Sequence, residues 1–220
     1  MARTRSSEAH DKVLRAALDL FIERGIEGTS MDAIAQASGV SKATIYNHWT
    51  DKEALLMEVM VLINGLDRGE EEVDTGDIRK DLTVVLTRKP PGEFDEQRNR
   101  LMPALIAYSA VHQEFGKAWR QRVLEPPQEY LRQILRRGMK TGVLRQDFDL
   151  ETGVALLFGP MMYAHILQRD GKPERPEFGK NVAEAFWRAH SQMRRERIKQ
   201  TLGEPGSAKK DARKGKRRKD

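Results

Sequence analysis

Cysteine is absent from the 220 residues, which leaves no disulfide framework and no thiolate metal site. Long apolar runs are absent too. The longest nearly unbroken one, Val154 to Leu167, has 14 residues and contains His165. A bilayer span needs roughly 20 apolar residues, so no membrane partner is expected. The opening segment, Met1-Ala2-Arg3-Thr4-Arg5-Ser6-Ser7, has no apolar stretch that would act as a signal peptide. No segment sustains strand alternation and no internal repeat is visible. Enzyme signatures are lacking as well. The histidines at 10, 48, 112, 165 and 190 never pair at i, i+3 or i, i+4, and no carboxylate cluster completes a metal site by spacing. No glycine motif cradles phosphate. No serine has glycines two residues to either side, and Ser109 has Ala107 and Val111 there. The expectation is a soluble, cytoplasmic, non-enzymatic all-α protein without a cofactor.

Charge is unevenly placed. The chain carries a formal +6, but residues 191–220 hold 12 Lys/Arg against 4 Asp/Glu, and the first 190 hold 27 against 29. Any basic footprint on the folded part must therefore be local, with the bulk field supplied by the tail. From 201 to 220 the composition predicts a disordered basic tail that adds sequence-independent phosphate contacts near DNA.

Against these absences stands the stretch from Thr29 to Trp49. Ser30 is an N-cap residue and Asp32 places negative charge in the first turn. Met31, Ile34 and Ala35 follow at helical spacing, and Gly39 supplies a left-handed stop. Ser41 caps a second helix in which Ile45 and Trp49 point inward. Lys42, Ala43, Tyr46 and Asn47 share the opposite face. That face is poor core material, and its size suits the DNA major groove. Thr50-Asp51-Lys52-Glu53 reads as a capping box with Thr50 at the cap, opening another helix at once.

With Leu20-Phe21-Ile22-Glu23-Arg24-Gly25, Gly28-Thr29-Ser30, Ile34-Ala35, Gly39-Val40-Ser41, Thr44-Ile45-Tyr46-Asn47-His48-Trp49 and Lys52-Glu53-Ala54-Leu55-Leu56, residues 10–62 resemble the DNA-binding domain of the TetR (tetracycline-repressor-like) transcription regulators. The resemblance covers about a quarter of the chain and departs at Trp49, where phenylalanine is commoner. It implies base-facing roles for Lys42, Ala43, Thr44 and Asn47. It also implies phosphate contacts from the helix starts at Thr29, Ser30 and Ser41, and from Tyr46, His48 and Lys52. Lys42 suits guanine O6/N7 and Asn47 suits adenine N6/N7.

The expected organisation is a flexible arm over 1–9, a three-helix helix-turn-helix DNA-binding domain over 10–50, a larger helical ligand-binding and dimerisation domain over 51–200, and the tail. Helices are expected over 51–66 and near 76–88, 94–112, 114–124, 127–141, 150–169 and 177–199, with Pro126 and Pro127 separating two of them. The helix over 150–169 is apolar nearly all round and needs cover on every side. By resemblance, the last two helices form a homodimer interface, using Val154, Phe158, Met162, Ile166, Phe178, Val182 and Phe186. Two reading heads on a two-fold axis would meet a palindromic operator on double-stranded DNA. An unknown small-molecule effector, bound among Met102, Leu105, Tyr108, His112, Phe115, Trp119, Met161, Met162 and His165, would release a repressor from that operator. The competing expectation is an architectural or accessory DNA-binding dimer with no ligand switch, relying on the basic tail.

Overall fold

Leu14, Leu18 and Phe21, with Val13, Ala17 and Leu20, place a continuous apolar stripe on the first helix, and all six are buried. The computed structural model describes residues 2–68, 73–167 and 177–192. The tail at 201–220, the expected helix end at 193–199 and the side chains of His165 and Ile166 lie outside the described residues.

Helix α1 spans Ala2–Arg24, α2 Met31–Ser38, α3 Lys42–His48 and α4 Lys52–Asn64. The expected arm at 1–9 is corrected, because α1 already runs from Ala2 with no interruption at residue 9. Ser30 and Ser41 cap α2 and α3, accepting from the Ala33 and Thr44 amides. Gly39 ends α2 at φ 68°, a left-handed conformation that strains any residue with a Cβ. The capping box also needs correction. Asp51, not Thr50, is the N-cap of α4 and accepts from the Ala54 amide. Asp51 offers a carboxylate one residue nearer the helix, which moves Glu53 off the box position and frees it for another partner.

The remainder comprises α5 (Ile78–Thr87), α6 (Asp95–Val111), α7 (Gln113–Trp119), α8 (Glu125–Lys140), α9 (Leu150–Leu167) and α10 (Phe178–His190). Pro126 and Pro127 do not separate two helices as expected. A π-helical turn, Arg120–Leu124, carries α7 directly into α8, and the prolines sit in the first turn of α8. Proline's fixed φ near −65° suits a helix, so these two residues remove only their own amide donors and do not break the chain's helical course.

Apolar packing does not divide at residue 50. One core joins α1–α4 to α6, α7 and the π turn, with Leu55, Leu56, Met60 and Ile63 of α4 fully buried at its centre. Each such side chain contributes about 1.5–3 kcal/mol by burial. A second core unites α5, α8, α9 and α10. Arg137 on α8 pairs with the wholly buried Asp81 of α5 at 2.7 Å, and Asp81 also accepts from Thr75. No helix among the described residues is long and apolar enough to cross a membrane.

Candidate nucleic-acid interface and effector cavity

Capping and burial together orient α3. Ile45 and Trp49 are buried and anchor its inner side, leaving Lys42, Ala43, Tyr46, Asn47 and His48 exposed and Thr44 half-buried. Tyr46 is 51% exposed although it is a large aromatic. Lys42 Nζ lies 2.7 Å from Asp32 of α2, an exposed pair worth little and readily exchanged for a base edge. Ser41 Oγ is 2.8 Å from Thr44 Oγ1, so the start of α3 presents two linked hydroxyls.

Two of the expected phosphate contacts find other uses. Thr29 is 3% exposed and donates its hydroxyl to the Gly25 carbonyl at 2.8 Å and the Leu20 carbonyl at 3.1 Å. Its side chain is therefore withdrawn from the surface, a correction with a simple cause. Gly25 lies just past the end of α1, where carbonyls have no following helical turn to answer them, and the Thr29 hydroxyl supplies the donor. Lys52 does similar work from α4, donating to the Ile26 carbonyl at 2.7 Å. Its placement in the first turn of α4 is thus explained within the protein. Ser30 remains exposed at the start of α2.

Glu58 binds the head together. His10 Nε2 of α1 lies 3.0 Å from its Oε1, and Trp49 Nε1, just past α3, donates to its Oε2. Both contacts converge on one α4 side chain, so α4 carries the recognition helix with it.

The expected effector residues divide into two groups. Met102, Met161 and Met162 line a cavity of about 450 Å³. Leu105, Tyr108, Phe115 and Trp119 instead pack into the first core, and this half of the expected pocket is corrected. Tyr108 and His112 do act as a pair, with rings stacked at 3.8 Å, but neither lines the cavity. Tyr108 donates to Glu53 at 2.7 Å, and His112 Nε2 meets Glu27 at 2.8 Å. Burial, then the Glu53 acceptor, push the Tyr108 phenol well above its ordinary range. The polar groups that this pair orients belong to the DNA-binding head.

The cavity lies where the two cores meet. Its wall takes Met102 and Val123 from the first core and Leu86 and Leu131 from the second, with Asn64, Gly65 and Leu66 from the end of α4. Arg88, Lys89, Pro90 and Pro91 between α5 and α6 complete one side. Beside it, the buried Arg98 donates to the Ile63 carbonyl and, at 2.9 Å, to the Pro91 carbonyl. One guanidinium therefore ties α4 to the cavity wall. These wall residues escaped the sequence reading, although the break at Lys89-Pro90-Pro91-Gly92 marked their place.

The expected dimer residues need a related correction. Val154 and Phe186 are buried in the protomer's own core, and Val182 packs against it. Phe158 and Met162 line the cavity, and Phe178 is half-buried. The outward face of α9 is Ala155, Leu156, Gly159 and Tyr163, with Leu156 51% and Tyr163 58% exposed. A helix apolar all round gives no periodicity from which to choose its outer side, so the described residues of α9 taken from the sequence are ones the protomer itself covers.

Known proteins share this arrangement. A family model described as "Bacterial regulatory proteins, tetR family" matches residues 13–59, and one described as "Tetracyclin repressor-like, C-terminal domain" matches residues 72–186. The HTH-type transcriptional regulator YdeS of Bacillus subtilis (strain 168) is 29% identical over 168 residues, covering 76% of this chain and 83% of YdeS. The HTH-type transcriptional regulator AcrR of Shigella flexneri is 33% identical over 114 residues, 48% of this chain and 53% of AcrR. The crystal structure of the TetR-family transcriptional regulator PfmR from Thermus thermophilus superposes with a TM-score of 0.58 at 27% identity, covering 80% of this chain and 97% of PfmR. The head, the helical body and these matches together place the chain in the TetR family of DNA-binding transcriptional regulators.

Proposed function

We propose that the protein is a homodimeric repressor that holds a palindromic operator through α3 and is released when a small molecule fills the cavity between its two cores. The observation that carries this reading is the course of α4. From the middle of the helix Glu58 holds Trp49 beneath the recognition face, and at its C-terminal end Asn64 lies in the cavity wall. A ligand that displaces Asn64, Gly65 or Leu66 moves the lever to which α3 is fixed. Arg98 and the Tyr108–Glu53 bond supply two further points at which the body grips the head. Two heads must sit about 34–36 Å apart to enter successive major grooves, so a small tilt of each lever breaks simultaneous docking.

Leu156 and Tyr163 support α9 as the subunit contact, since exposed apolar side chains at this spacing gain by mutual burial. Selection from a random DNA library should recover a two-fold-symmetric site. On that site, combined Leu156→Glu and Tyr163→Glu should lower affinity at least tenfold and sediment as a monomer. Full affinity from a monomer would overturn the dimeric reading. A compound that saturates the cavity and leaves operator affinity unchanged would overturn the switch.

A further inference from the structure

The cavity between the two cores offers a bound molecule a mostly apolar wall, with Met102, Leu131, Phe158, Met161 and Met162 among its side chains. At about 450 Å³ the space falls in the range that small-molecule sites occupy. Among the described residues, the charged groups of the wall are Arg88 and Lys89, and both already have partners within the protein. Arg98 beside the cavity is likewise engaged, by the carbonyls of Ile63 and Pro91 and the Asp95 carboxylate. An acid entering the cavity would compete with these partners. A cation would find no carboxylate among the described wall residues and would give up its hydration without a counter-charge. The wall therefore favours an uncharged molecule.

The remaining polar side chain of the described wall is Asn64, half-buried at the end of α4. Its Nδ2 donates to the Met60 carbonyl at 2.8 Å, one turn back along the same helix. A carbonyl only accepts, so this bond fixes which arm of the amide carries nitrogen and which carries oxygen. Among the described residues no donor meets the Asn64 Oδ1. A molecule that displaces water from this wall must replace the hydrogen bond that water gives that oxygen, or leave it unsatisfied.

We infer that Asn64 sets the specificity of the effector site, its Oδ1 accepting from the hydroxyl or N–H of an uncharged, largely apolar molecule. The inference rests on the reading of this cavity as the effector site. The unbranched, polarisable methionines suit an apolar body of variable shape, so selection falls on the donor more than on the outline of the rest. The position of Asn64 gives the contact a second consequence. Arg98 holds the carbonyl of Ile63 before it, and the Gly65 amide after it closes α4 onto the Leu62 and Val61 carbonyls. Asn64 thus stands on a fixed helix end, and a donor bound to its oxygen acts on α4 directly.

The test uses octan-1-ol and its isomer heptyl methyl ether, whose oxygen cannot donate, together with octanoate and octylammonium. Each is titrated calorimetrically, below its solubility limit, into the full-length protein. Octan-1-ol should bind one per protomer, about threefold to tenfold more tightly than the ether, the worth of one hydrogen bond. The two charged compounds should show no saturable binding. Asn64→Leu should bring the alcohol down to the level of the ether and leave ether binding unchanged, which also shows that the variant folds. Met162→Trp, which fills the cavity, should abolish binding of both. No binding of octan-1-ol, equal binding of alcohol and ether, or a charged compound binding as tightly as the alcohol would overturn the assignment. So would an alcohol–ether difference that survives Asn64→Leu. Operator affinity measured in the same titrations separates this inference from the switch itself. Asn64-dependent alcohol binding without DNA release would leave the site chemistry standing and remove the switch. DNA release that is indifferent to Asn64→Leu would do the reverse.

Discussion

Single side chains around α3 have separable tasks. Asn47 is exposed on the outer face of α3, which we propose enters the groove, where its amide would both donate to and accept from an adenine edge. Asn47→Ala should cost about 1–3 kcal/mol per contact and relax preference at one position in each half-site. Tyr46→Phe should weaken all sequences about equally, because the phosphate contact proposed for Tyr46 carries no base information. Binding selections on both variants distinguish the two roles, and exchanged outcomes would reverse them. Tyr108 tests the grip between body and head. Its phenol is held above the ordinary value of about 10, so the folded state retains a proton that the unfolded chain loses. That contribution is fully present below about pH 10 and is lost as pH rises toward the folded-state value. Urea unfolding from pH 7 to pH 11 should show stability falling over the upper part of the range. Tyr108→Phe should flatten that part of the profile.

At the scale of elements, close backbone approach decides the packing of α10. A Cβ on Gly179 would lie 2.0 Å from the Leu86 carbonyl oxygen and 3.3 Å from the Thr87 amide, both of them backbone atoms of α5 that cannot rotate aside. Gly179→Ala should therefore destabilise by about 1–3 kcal/mol through forced separation of the helices, read from the shift in urea midpoint. Gly39 differs, since a Cβ there meets nothing within 4 Å and only its left-handed φ of 68° is strained. The elements themselves were mostly legible in the sequence. Ser30, Gly39 and Ser41 act on the chain next to them, so their positions fixed the bounds of α2 and α3. Thr50 misled because Asp51 beside it is an equally good cap, and local rules do not rank the two. The two prolines in α8 misled because the π turn before them keeps the chain helical.

At the scale of the whole molecule, legibility fell wherever a role depends on which elements meet. Tyr108 and His112 were paired correctly by their spacing, yet their partners Glu53 and Glu27 are 55 and 85 residues away in the chain. Spacing cannot show such a contact. The same holds for Arg98, whose acceptors lie at the end of α4 and before α6, and for the outward face of α9. The result is a body and a head that share one core, with a cavity at the seam between that core and the next. The absence of cysteine offers a direct measurement of the proposed lever. A single Gln36→Cys substitution on the exposed surface of α2 accepts one spin label per protomer, and double electron–electron resonance then reports the distance between the two heads. The lever predicts one inter-subunit distance that narrows on symmetric operator DNA and moves by several ångströms when an effector releases that DNA. An unchanged distance in the presence of a releasing effector, or no inter-subunit distance at all, would contradict it.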